Sequence, residues 1–181
     1  MIKSFKQFLK EMPGKTDTGP DYLDDTPVRE PSKYEDLNYS GHSFGNYNLK
    51  TKKSKSGTKP FEYQAEHDNG EVHFVTRGGT TEDNHFIANE TRKHTNSEIN
   101  APTFYKEILK HGEHAGIQSG KDHTSDGEHI WYRMAHNHPD VEITHHRTSD
   151  MKQIPLHKGE DWSKNYNENE PSVFRMKFKE K

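Results

Sequence analysis

The chain contains no cysteine among its 181 residues. Disulfides, cysteine-ligated zinc, thiolate nucleophiles and iron–sulfur clusters are therefore excluded. It also lacks long apolar runs: none approaches the roughly 18 residues of a membrane-spanning helix, so no membrane span is expected. Hydrophobic residues make up only 27%, and Ile, Leu, Val and Phe together fall below the roughly 20% at which disorder sets in. A net charge of only −3 removes the self-repulsion that usually accompanies disorder. The same near-neutral balance (pI ≈ 6.5) leaves no basic footprint, and general nucleic-acid binding is not expected. What is present is 2 Trp, 8 Tyr and 9 Phe, enough for a small packed core, and 14 His.

Residues 1–12 differ from the rest. Ile2, Phe5, Phe8 and Leu9 recur at spacings of three and four and share one helical face, while Lys3, Lys6, Gln7 and Lys10 take the other. Met12, Pro13 and Gly14 end the pattern. A helix this short is marginal alone, so its apolar stripe needs a surface to dock on, either a partner or its own domain. No continuous apolar h-region exists, so the leader is not a secretory signal.

The leader resembles the capsid-targeting sequence of internal proteins from T4-like bacteriophages. Those begin with Met, Lys, aromatic residues and a hydrophobic pair, and end in a Leu/Ile-x-Glu site cut by a prohead protease. Leu9-Lys10-Glu11 matches that site, and Phe5 and Phe8 the aromatic positions. The resemblance implies cleavage after Glu11 and a location in the virion interior, or in the host cytoplasm during infection. Met12 departs from it, standing where the family places Ala or Gly.

Residues 13–45, punctuated by Pro13, Pro20, Pro27 and Pro31 and rich in Asp, read as a flexible linker. Tyr34, Leu37 and Tyr39 are its candidates for docking on the domain. Residues 46–181 read as one small α/β domain. Phe61–Ala65 alternates, Asp68-Asn69-Gly70 is a hairpin signal, and Val72–Thr76 is the partner strand. Strands at Tyr47–Thr51 and His85–Asn89 flank them. Pro102 opens a helix that stops at Gly112, Ala115–Gln118 suits a buried strand, and Ser125 or Asp126 caps a second helix ending at His138-Pro139. Val141–His145 and Phe174–Phe178 alternate again, and 147–171 reads as a long irregular loop. The expected class is α+β, a mixed, mainly antiparallel sheet with two packed helices in the order β-β-β-β-α-β-α-β-β.

That order is similar to the C-terminal part of the GNAT acyltransferase fold. There, the strand before the central helix splays from its neighbour, and an Arg/Gln-x-x-Gly-x-Gly/Ala turn between them receives the pyrophosphate of acyl-CoA. The corresponding segment, Asn89–Asn100, has no glycine, and none occurs between Gly79 and Gly112. The resemblance implies acetyl-CoA as the cofactor of an active enzyme, with Arg92 and Lys93 as point charges on its phosphates and Tyr132 as general acid. Gly116–Gly120, with Thr124, Gly127, Ile130 and Trp131, is also similar to a recurrent segment of phage proteins related to this fold.

Imidazole suits zinc, nickel and copper, and His136, His138 and His145 offer a possible site, with Asp140 the nearest carboxylate. No His-Glu-x-x-His spacing is present, and His136-Asn137-His138 does not satisfy the distributed ligands of an HNH nuclease. The leading expectation is a phage accessory or internal virion protein that binds capsid, scaffold or a host protein, without a cofactor. The alternatives are a GNAT-like N-acyltransferase and a histidine-based metal protein.

Overall fold

The computed structural model describes residues 22–23, 34–36, 42–54, 61–94, 97–111, 113–120, 125–147, 150–157 and 172–180. The leader residues Phe5, Phe8, Leu9 and Glu11 lie outside them. The Asp68-Asn69-Gly70 signal produces the central hairpin: Gly70 takes φ +87, and Gly70 donates to the His67 carbonyl at 2.8 Å. The hairpin joins β5 (Phe61–His67) and β6 (Val72–Thr80). Around it lie β4 (Tyr47–Ser54) and β7 (His85–His94), and then α1 (Ala101–His111), β8 (Gly116–Ser119), α2 (Ser125–Asn137), β9 (Val141–Arg147) and β11 (Ser172–Phe178). Three short strands precede these, β1 (Tyr22–Leu23), β2 (Tyr34–Asp36) and β3 (His42–Phe44), and β10 (Gln153–Leu156) lies between β9 and β11.

The class is α+β, as expected: among the described residues, one mostly antiparallel sheet and two helices. The main path runs β10-β9-β11-β8-β7-β6-β5-β4-β2, with β1 paired to β7 and β3 to β4. The parallel pairs are β7–β8 and β1–β7. Two boundaries differ from the sequence reading. Strands β2 and β3 belong to the sheet, so the sheet begins before residue 46. The segment 147–171 is not wholly irregular, because Gln153–Leu156 pairs antiparallel with Ile143–His146.

Alternation places Tyr63 and Ala65 of β5, Phe74 and Thr76 of β6, and Ile143 and His145 of β9 in the core, all buried. Helix α1 packs Phe104 on Phe74 at 4.7 Å between ring centroids, and α2 lies against β9. The two helices touch through Tyr105 and Trp131, stacked at 5.6 Å. Burying an aromatic or aliphatic side chain of this kind contributes about 1.5–3 kcal/mol, which explains how so apolar-poor a chain holds a core.

Candidate functional site

Strands β7 and β8 are joined through α1, the connection a parallel pair requires. They pair from His85↔Gly116 to Ala88↔Ser119, and the Gly120 amide donates to the Ala88 carbonyl at 3.1 Å. Next along β7 lies a bulge. On the other edge of β7, Arg77 opposes Glu90 and Gly78 opposes Ala88, leaving Asn89 unopposed. A bulge bends its strand and raises its twist. Glycine is needed opposite, since a Cβ on Gly78 would lie 1.5 Å from the Ile87 carbonyl oxygen. Strand β6 occupies one edge of β7 up to Lys93, so β1, which pairs with Lys93 and His94, lies on the β8 edge. Between Ala88 and Lys93, no described strand pairs with β7 on that edge, a stretch of about 13 Å at about 3.3 Å per residue.

The groups around this stretch are mostly engaged. Ser119 accepts from the Phe174 amide at 2.8 Å and donates to the Gly120 carbonyl at 3.0 Å. Thr91 exchanges a hydroxyl hydrogen bond with Tyr105 at 3.0 Å, and burial pushes the Tyr105 hydroxyl up. The N-terminus of α1 is capped from within, Asn100 Oδ1 accepting from the Thr103 amide at 2.9 Å.

The acyltransferase residues are not gathered for that chemistry. Arg92 and Lys93 are consecutive on a strand and point to opposite faces. Arg92 Nη2 is held by Glu90 Oε1 at 2.9 Å. Tyr132 packs edge-on against Phe174 at 5.4 Å. Burial, then the nearby Glu128, pushes its hydroxyl well above the usual phenol range, far from the near-neutral value that suits a general acid.

The expected metal set does not converge either. His136 is exposed at the end of α2, and His138 follows the helix, with burial lowering its pKa. His145 is buried and stacked on Phe174 at 4.8 Å. The helix end at Asn137 and the inward face of β9 send these rings to different places. Among the described residues, the groups whose ligand atoms lie within 4.8 Å of one another are Glu71–His73–His94 and His42–Glu107–His111. Sequence reasoning missed both, because each joins residues from separate elements; only Glu107 and His111, at helical spacing, carried a local signal.

No protein family, curated protein or solved structure matches the chain. Among the described residues, no helix is long and apolar enough to cross a membrane.

Proposed function

We propose that the chain is an accessory or internal protein of a tailed bacteriophage. Its leader takes it to scaffold or capsid, and its α+β domain is a binding module of GNAT-like order. The observation that carries the binding reading is the bulged stretch 89–92 of β7, whose edge on the β8 side no described strand pairs. An open strand edge receives an extended segment of another chain through main-chain hydrogen bonds, with side-chain alternation giving selectivity. The pairing of β1 with Lys93 and His94 supports this, since the far end of the same edge takes an extended segment of the chain itself. The partner is a capsid or scaffold protein, or a host protein after infection.

Recovery of the protein from purified particles tests the leader. A chain beginning at Met12 supports targeting with processing after Glu11, and loss of residues 1–11 should abolish incorporation. Absence of the protein from particles in either form, beginning at Met1 or at Met12, contradicts the reading.

The parallel β7–β8 pair joined through a helix also favours a second reading, a GNAT-like N-acyltransferase. The glycine-free Asn89–Asn100 segment and the Glu90–Arg92 pair oppose it. Calorimetry with acetyl-CoA separates the two: no binding is expected of a protein-binding module, and micromolar binding would replace it with the enzyme.

A further inference from the structure

We propose that Glu71, His73 and His94 form a binding site for a divalent transition-metal ion of the zinc class. The site is assembled by a second irregularity of the sheet. Along the β5–β6 hairpin, Ala65 opposes Phe74 and Glu66 opposes Val72, so His73 is unopposed. A bulged residue is re-aimed relative to strict alternation. The His73 ring lies beside Tyr47 at 5.4 Å, stacked with His67 at 5.4 Å and with His94 at 5.1 Å. The turn then delivers the carboxylate. Glu71 Oε2 lies 3.3 Å from His73 Nε2 and Oε1 lies 3.7 Å from His94 Nε2.

Those distances decide between two uses of the cluster. A charge-assisted imidazole–carboxylate hydrogen bond closes to about 2.7–2.9 Å. Donor atoms around a tetrahedral zinc, with bonds of about 2.0–2.1 Å, stand about 3.4 Å apart. The His73–Glu71 hydrogen bond is long at 3.3 Å and Glu71 stands 3.7 Å from His94, spacings closer to the second. Two imidazoles and one carboxylate are a ligand set that zinc adopts with a further position open. Glu71 supplies that opening: its side chain is 50% exposed, against 10% for His73 and 9% for His94.

The surrounding groups orient the ligands as metal sites require. The Tyr47 hydroxyl lies 3.3 Å from His73 Nδ1, leaving Nε2 as the atom that faces Glu71. That hydroxyl in turn accepts from the Glu98 amide at 3.4 Å. Asn69 Nδ2 donates to Glu71 Oε2 at 3.3 Å, while Asn69 Oδ1 accepts from the Glu71 amide at 2.9 Å.

Isothermal titration of the full chain with zinc chloride, with metal analysis after dialysis, tests the site. One tight equivalent is expected. Glu71→Gln and His73→Gln should each weaken it by more than a hundredfold, and Tyr47→Phe by about 10–100-fold, the range for outer-shell partners. Glu71→Gln alters a turn residue, and its metal-free unfolding curve should overlay that of the wild type, which separates loss of the site from loss of the fold. Zinc uptake as several weak equivalents, or one equivalent unchanged by Glu71→Gln and His73→Gln, would overturn the proposal.

Discussion

Among the described residues, two clusters join the same three groups, two imidazoles and a carboxylate, and of these two only one is open. In the first, Glu71 stands 3.3 Å from His73 with its other side toward solvent, and no lysine or arginine contact to it is found among the described residues. In the second, Lys110 Nζ sits 2.6 Å from Glu107 Oε1 and His42 donates to Oε2 at 2.9 Å. The His42 and His111 rings are pressed face to face, with centroids 3.2 Å apart. Burial works to raise the Glu107 pKa, yet the hydrogen bonds from Lys110 and then His42 hold it below its usual value. Its charge is already neutralised, and a metal would have to displace the lysine. Ligand identity alone therefore does not make a metal site; a carboxylate not already held by a lysine does. The Glu107 cluster instead ties β3 to α1.

The comparison breaks most visibly through zinc. At about 100 times the dissociation constant, the metal should add about 2.7 kcal/mol to the stability of the wild-type chain, read as a rise in melting temperature. In Glu71→Gln the rise should vanish. A comparable rise in that variant would mean that the ion sits elsewhere.

Next in size, Glu107→Gln in the absence of metal should cost about 1–3 kcal/mol, since it weakens a largely buried hydrogen-bonded carboxylate. The zinc-dependent rise should survive intact. If it disappears instead, the two clusters have exchanged roles.

Lys110→Met sharpens the contrast. Loss of a half-exposed ion pair should cost no more than about 1 kcal/mol. Freed of its lysine, Glu107 should then allow a second, weaker zinc equivalent in calorimetry. A stoichiometry unchanged at one would show that the pressed His42–His111 pair, and not the lysine, closes the cluster.

The smallest effect concerns protons. Burial, then the neighbouring His42, lowers the His111 pKa below its ordinary 6.5. The unfolded chain then binds that proton more readily than the folded one. The stability tied to His111 is full above about pH 6.5 and is lost as the pH falls through the lowered folded value. His111→Gln should flatten this part of the urea-midpoint profile between pH 7 and 5. An unchanged slope would remove His111 as its source.

Much of the fold was legible in the sequence, because its signals are local. Asp68-Asn69-Gly70 and the flanking alternation define the hairpin, and the Pro102 and Gly112 punctuation brackets α1. Strand β10 escaped, since Gln153–Leu156 is short, contains Pro155 and has no run of apolar residues. Strands β2 and β3 escaped for a related reason: they are three residues each, set in a linker-like composition.

The sites were far less legible. Val72-His-Phe74 reads as simple alternation, and nothing in it announces the bulge that turns His73 beside Tyr47 and His94. His94 joins Glu71 only because β6 and β7 pair. The trio His136, His138 and His145 looked promising by proximity in sequence, yet it straddles a helix end and the inward face of a strand. Arg92 and Lys93, suggested by family resemblance, face opposite sides of β7 as any consecutive strand residues must.

X-ray absorption spectroscopy at the zinc edge, on the full chain loaded with one equivalent, addresses the Glu71–His73–His94 site most directly. The expected spectrum has two imidazoles and oxygen donors at about 2.0–2.1 Å, and one imidazole is lost in His73→Gln. A shell of three or four imidazoles, or a spectrum indifferent to His73→Gln, would contradict the site.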